Sequence, residues 1–267
     1  MLYLIALLQG IVEGVTEFLP ISSTGHLILT GYLLGFTDER AKTFEVVIQL
    51  AAILAVVTIY FQRFLRLVPV QKNNKLGKFN GLNGLKLLLL TTLPALVVGL
   101  LLHDFIKDRL FTPLTVAAGL AVGGVVLIVF EKYTPKSTSK TLDQLTTKQA
   151  LGIGFAQIVS IWPGVSRAAS TIVGGSFLGL DRKTAVEYSF FAAVPIMVGA
   201  TTLDLYKNIG NLSTTDIPLF AVGMITSYIV AIVAIKWLLK IVENHSLAVF
   251  GYYRLVLAVI VFLFMVV

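Results

Sequence analysis

Six apolar runs, each close to the roughly 20 residues a helix needs to cross a bilayer core, leave this chain few folds to choose from. They are Thr43–Phe61, Leu85–Leu102, Leu114–Phe130, Ala185–Leu205, Ile217–Leu239 and Leu247–Val267. None alternates with a period of two, so a β-barrel is excluded in favour of helices. Of the 267 residues, 57% are hydrophobic and 13% charged, against roughly 25% charged in a soluble domain. The chain therefore reads as an all-α polytopic membrane protein with six transmembrane helices, and as one integral membrane domain.

Two further segments, residues 2–36 and 148–180, are apolar but interrupted near their middles, at Pro20 and at Pro163-Gly164. Their halves are too short to cross alone. They read as two re-entrant helical hairpins, which a bilayer tolerates only where irregular backbone is buried in protein or lines a cavity. The alternative for each is one kinked spanning helix followed by an interfacial one. The amino terminus lacks the basic start and small-residue cleavage site of a signal peptide, so it is expected to be retained.

Charge fixes an orientation. Arg63, Arg66, Lys72, Lys75, Lys78, Lys86, Lys132, Lys136, Lys140, Lys148, Arg182, Lys183, Lys236 and Lys240 fall on one side if each hairpin returns to its side of entry. Arg40, Lys42, Lys107, Arg109 and Lys207 fall on the other. The positive-inside rule makes the first side cytoplasmic, and topology then accounts for the net charge of +7 without nucleic acid. The first hairpin enters from outside and the second from inside, each followed by three spans. This predicts an inverted-topology repeat, approximately residues 1–132 and 148–267, joined by a cytoplasmic loop. Pro20 and Ser23 lie 143 residues before Pro163 and Ser166, and Gly31 and Gly35 lie 144 before Gly175 and Gly179. Such repeats place broken helices together near the midplane.

The breaks carry the chemistry. In QGIVEGVTEFLPISSTGH, Glu13 and Glu17 share a helix face with Gln9. Pro20 is expected to end that helix, and Ser22 or Ser23 to cap the next. The second break, WPGVSRAAST, offers a tight turn at Gly164, a cap at Ser166, helix amides and the guanidinium of Arg167, a set suited to a phosphate. An arginine in the membrane needs a partner or a function; a pair with Glu13 or Glu17 supplies the first without excluding the second. Glu45 and Glu187 start two spans, where they suit helix dipoles or contacts behind the site. His103 beside Asp104, and His245, read as interfacial residues, and Arg254 as a paired or snorkelling one. With no cysteine, disulfides and thiolate chemistry are excluded. Gly119, Gly123 and Gly124 permit close helix packing within the chain or in a homodimer.

These residues closely resemble undecaprenyl pyrophosphate phosphatase, the bacitracin-resistance family of bacterial membrane enzymes. Its motif EGxTEFLPxSSTGH is matched from Glu13 to His26, including Ser22, Ser23 and Thr24. Its motif PGxSRSxxT is matched by Pro163, Gly164, Ser166, Arg167 and Thr171, with Ala168 where the family has serine. KTFEVVIQL from Lys42 and YRLVLA from Tyr253 extend the likeness over nearly the whole chain.

The resemblance implies hydrolysis of undecaprenyl pyrophosphate to undecaprenyl phosphate, recycling the lipid carrier of cell-wall synthesis and conferring bacitracin resistance. It also implies a divalent cation, magnesium or calcium, and a bacterial cytoplasmic membrane site opening outward. Glu13 and Glu17 suit the metal as hard oxygen ligands. Ser23 is the candidate nucleophile, with His26 three residues on as general base and acid; direct attack by water activated by Glu17 or His26 stays open. Arg167, Ser166 and Thr171 would stabilise the transferring phosphoryl group, with Ser22, Thr24 and Gly164 around the substrate. The rival reading, a secondary transporter or polyprenyl-phosphate flippase using the same central site, needs that site open to both faces.

Overall fold

The protein is described by a computed structural model covering residues 1–68, 77–102, 105–110, 112–134, 137–139, 141–208 and 214–265. Lys72, Lys75, Lys136, Lys140 and the His103–Asp104 pair lie outside the described residues. Among the described residues eleven helices follow in order: α1 Leu2–Thr16, α2 Ser23–Leu33, α3 Glu39–Ile59, α4 Phe61–Leu65, α5 Gly81–Leu101, α6 Pro113–Tyr133, α7 Thr147–Ile158, α8 Arg167–Phe177, α9 Arg182–Asn208, α10 Ile217–Asn244 and α11 Ala248–Met265. Short 3-10 or π turns sit at residues 106–110, 142–144, 159–161 and 214–216. The chain is a multi-pass membrane protein. Five helices, α3, α5, α6, α9 and α10, are long and apolar enough to cross a membrane, while α1 and α11 are shorter apolar helices.

Small residues set how the helices meet. Between apolar helices in lipid there is little hydrophobic drive, so close backbone contact must supply the attraction. A Cβ at Gly10 would sit 2.7 Å from the Gly223 carbonyl, and one at Gly14 would sit 2.6 Å from that of Ser227, so α1 lies directly on α10. A Cβ at Gly154 would sit 2.8 Å from the carbonyls of both Leu90 and Thr91, which seats α7 on α5. Gly124 and Gly251 face each other's carbonyls across the α6–α11 seam, at 2.8 and 2.7 Å. The partners of Gly119, Gly123 and Gly124 therefore lie in this chain: the Pro163-Gly164 turn, Arg254 and Gly251.

Polar contacts collect at one end of the bundle. Arg63, after α3, pairs with Asp143 at 2.9 Å; Arg182, at the start of α9, pairs with Glu131 of α6 at 2.6 Å. At the same end the Gln149 side chain, in the first turn of α7, donates to the Leu178 carbonyl past the end of α8 at 3.0 Å. Ser139 bridges to Leu180, and the amides of Thr138 and Ser139 donate to the Gly179 carbonyl. The start of α7 and the end of α8 thus lie together.

Candidate active site

Each interrupted segment breaks in the same way. Helix α1 ends at Thr16, four residues before Pro20, and Glu17 keeps helical dihedrals with its amide bonded to the Glu13 carbonyl at 3.0 Å. The carboxylates of Glu13 and Glu17 therefore stay one turn apart on one face. After the turn, Ser22 caps α2 with φ +71°, accepting from the Gly25 amide at 3.4 Å. In the other segment, Gly164 turns the chain at φ +92°, and Ser166 caps α8 with φ +76°, accepting from the Ala169 amide at 3.2 Å. Ser22 and Ser166 are the only non-glycine residues with positive φ among those described. They lie 144 residues apart, so the structural register follows the glycines; the pairing of Ser23 with Ser166 at 143 is displaced by one residue. Each strained cap hands the next position to a side chain with chemistry: Ser23 after Ser22, Arg167 after Ser166.

Those side chains meet. Arg167 Nη2 donates to Glu17 Oε1 at 2.9 Å, and Ser23 Oγ donates to Glu17 Oε2 at 2.6 Å. One carboxylate thus joins the two breaks. Arg167 Nη1 donates to the Ser189 carbonyl at 3.0 Å and its hydroxyl at 3.3 Å, and Ser189 Oγ lies 2.7 Å from Thr171 Oγ1. The Phe18 ring lies under the guanidinium, 5.9 Å from its centroid. The fork is therefore aimed by protein on three sides, as a planar bidentate donor requires.

His26 is bonded elsewhere. Its Nδ1 lies 2.7 Å from the Ser22 carbonyl, which can only accept, so Nδ1 carries the proton. Its Nε2 then accepts from Tyr253 Oη at 2.7 Å, with the two rings stacked at 5.6 Å. The hydrogen-bond partner of Ser23 is Glu17, not His26. Thr24 follows in the first turn of α2, half-buried. Gly164 is buried, and a Cβ there would run into the Val116 carbonyl, so its close approach is to α6. Ala168 is buried, and Ser170 donates to the Ser166 carbonyl within its own helix.

Whether the residues fit a divalent cation turns on Glu13. It is fully buried, and both carboxylate oxygens lack a hydrogen-bond partner, as does Nε2 of the adjacent Gln9. A buried carboxylate with no donor is an expensive arrangement unless a proton or a cation meets it. No group of three or more His, Cys, Asp or Glu gathers among the described residues. Two carboxylates completed by substrate phosphate oxygens is, however, a usual magnesium site. The donor set fits.

Ser189, Tyr253 and the true role of Arg254 escape a reading by motif. Arg254, on α11, is fully buried and donates to four backbone carbonyls, including Pro20 of the first break and Gly164 of the second. The available signal was a charge inside an apolar run.

Comparison with known proteins identifies the family. The model of the family described as bacitracin resistance protein BacA matches residues 6–260. The chain belongs to the bacitracin resistance family. Relatives named undecaprenyl-diphosphatase span nearly its whole length. The one from Desulfovibrio desulfuricans is 52% identical over 263 residues, 98% of each chain. One from Bacillus cereus, named undecaprenyl-diphosphatase 1, is 52% identical over 264 residues, 98% of this chain and 97% of its own. Family membership thus rests on the whole chain, and the two breaks lie well inside the matched span.

Proposed function

We infer that this chain is an undecaprenyl-diphosphatase, which hydrolyses undecaprenyl pyrophosphate to undecaprenyl phosphate and inorganic phosphate. The activity returns the lipid carrier to cell-wall synthesis and confers resistance to bacitracin. The observation that carries the reading is the chain of contacts Ser23–Glu17–Arg167, at 2.6 and 2.9 Å, linking two helix breaks 150 residues apart in a membrane protein. It puts a hydroxyl, a base and a guanidinium within reach of one tetrahedral phosphorus.

The chemistry follows from those atoms. Ser23 Oγ attacks the terminal phosphorus in line with the bridging oxygen, its proton passing to Glu17 Oε2. The P–O bond to the undecaprenyl phosphate leaving group breaks, and water then hydrolyses the phosphoserine to phosphate. Arg167 turns from Glu17 to the phosphoryl oxygens, with Ser189 and Thr171 behind it, and offsets charge as it develops. Ser166 and the first amides of α8 would donate to the same anion, with Ser22 and Thr24 as further substrate contacts. Both ring nitrogens of His26 are taken, by the Ser22 carbonyl and the Tyr253 hydroxyl, so His26 would exchange a proton with the leaving group by way of Tyr253 Oη. Glu13 and Glu17 would hold magnesium or calcium, which when bound neutralises diphosphate charge.

The same reading includes six spans and two re-entrant hairpins as an inverted repeat in the bacterial cytoplasmic membrane, with the site opening outward. Two features support it: the matched strained caps 144 residues apart, and the α1–α10 seam set against the α7–α5 seam. Phosphate release by purified protein given undecaprenyl pyrophosphate tests the function. Wild type should release phosphate, and Glu17→Ala and Arg167→Ala should not. Equal release by all three would end the reading of the site.

A further inference from the structure

Arg254 presents an arrangement that pairing or snorkelling does not explain. The side chain is fully buried, and none of the ion pairs among the described residues includes it. Its guanidinium spends four of five N–H groups on backbone carbonyls: Nε on Leu120 at 3.3 Å, Nη1 on Pro20 at 3.2 Å, and Nη2 on Gly119 at 3.1 Å and Gly164 at 2.8 Å. These acceptors belong to three separate pieces: helix α6, the turn of the first break and the turn of the second. A buried charge is costly in a membrane interior, and neutral carbonyls repay it less fully than a carboxylate does. A stability role alone would be served more cheaply by an apolar side chain of similar volume.

Position gives the arrangement its meaning. Pro20 lies three residues before Ser23 and three after Glu17, and Gly164 lies three before Arg167. One planar group therefore sets the distance between the turn that delivers the hydroxyl and its base and the turn that delivers the phosphate-binding guanidinium. Among the described residues, side chain–side chain hydrogen bonding across the two breaks rests on Glu17 alone, and that bond must open when Arg167 moves to a phosphate. The carbonyl contacts of Arg254 need not open.

We propose that Arg254 is a positioning residue for phosphoryl transfer, tying the two helix breaks into one site through the carbonyls of Pro20 and Gly164. The inference rests on the phosphatase reading above. It predicts a loss in the rate of the chemical step rather than in lipid binding, because displaced breaks misalign groups that act together only in the transition state.

The structure also supplies a second perturbation that leaves the charge untouched. The three atoms nearest a Cβ at Gly123 of α6 would be Nη2, Cζ and Nη1 of Arg254. Gly123→Ala thus pushes the guanidinium off its carbonyls while favouring the helix that carries it. In the phosphate-release assay with purified protein, Arg254→Lys and Gly123→Ala should each lower kcat by on the order of 10 to 100-fold. KM should stay within about threefold, as expected when only a transition-state interaction is lost. The thermal unfolding midpoint of Gly123→Ala should fall, because the displaced guanidinium stays buried with fewer acceptors, and kcat is therefore read per folded enzyme. The double variant should lose about as much as the worse single one, since both act through one contact.

A Gly123→Ala enzyme with wild-type kcat overturns the proposal, as does a loss that tracks the folded fraction, a matching rise in KM, or losses that multiply in the double variant. Should Arg254→Lys fail to fold, Gly123→Ala decides alone. Wild-type protein that releases no phosphate would instead refute the phosphatase reading, so the two failures are distinct.

Discussion

Replacing Arg167 by lysine separates the two tasks this residue performs. Its two terminal nitrogens reach different partners, Nη2 to Glu17 at 2.9 Å and Nη1 to Ser189 at 3.0 Å. A lysine ammonium keeps the charge but concentrates its donors at one point, so it cannot hold Ser189 and face a phosphate together. At least one directed donor to the transferring phosphoryl group is then lost, which costs roughly 10²–10³ in kcat, or about 3–4 kcal/mol. Stability should respond differently. Arg167 and Glu17 side chains are 13% and 6% exposed, so removing one partner leaves a buried charge. Arg167→Ala is expected to cost about 3–5 kcal/mol, since Glu17 keeps only the Ser23 hydroxyl. Arg167→Lys preserves an ion pair and should cost far less. The assay is phosphate release from undecaprenyl pyrophosphate in detergent, with thermal unfolding of the same samples. The expected pattern is two nearly inactive variants, of which only the alanine one is strongly destabilised. A lysine variant within about fivefold of wild-type kcat would refute the claim that the planar fork is needed. One as unstable as the alanine variant would refute the claim that charge pairing is what stabilises the break.

Ser23→Ala should lose on the order of 10³-fold or more in kcat, and wild type quenched within one turnover should carry phosphate on Ser23; a phosphate-free serine with full burst kinetics favours direct water attack. Tyr253→Phe removes one neutral hydrogen bond worth about 0.5–1.5 kcal/mol, so kcat should fall by up to about 10-fold with the fold intact; unchanged turnover would leave His26 indifferent to that bond. Chelation should abolish phosphate release and added magnesium or calcium restore it, whereas a fully active chelated enzyme would mean that Glu13 and Glu17 hold no required cation. Ser166→Gly should leave thermal stability unchanged or raise it while lowering kcat; a variant that is less stable and equally active would contradict the account of the strained cap.

Much of this was legible because membrane insertion restricts what apolar sequence can do. Five of the six spans, both breaks and the cap at Ser166 follow from run length, proline and hydroxyl placement; the first cap is narrowed to Ser22 or Ser23, and the partner of the arginine to Glu13 or Glu17. What failed was local geometry at the start of α2. Spacing put Ser23 and His26 on one helical face, but side chains in a helix lean toward its N-terminus. Ser23, at the first helical position, therefore leans back over the turn to Glu17, and His26 bonds back to the Ser22 carbonyl. The helix end was misplaced for a related reason: Pro20 disfavours helix before it, yet the chain leaves helical pairing at Thr16 to make room for the turn. Ser189, Tyr253 and Arg254 act at sequence separations of 22, 227 and 234 residues from the groups they hold. Nothing periodic in a single sequence encodes such contacts.

The two serine caps show where the fold accepts a local loss. A non-glycine residue at φ near +70° costs about 1–3 kcal/mol, and a serine cap contributes typically about 1 kcal/mol relative to alanine, with glycine only a few tenths worse. Capping alone therefore gives glycine the advantage at both positions, because it relieves the strain and forfeits little. Serine persists at both, and both times the following residue is one the site depends on. The cap hydroxyl fixes the first turn of the helix against the Gly25 or Ala169 amide, and that turn carries Ser23 or Arg167 at its first position. Without it the first residue frays, and a fraying Arg167 would swing through more than the Ångström or so that phosphoryl transfer tolerates. The strain at Ser22 and Ser166 is thus best understood together with the buried guanidinium of Arg254. All three are locally unfavourable, and all three restrict the same relative motion, that of one helix break against the other.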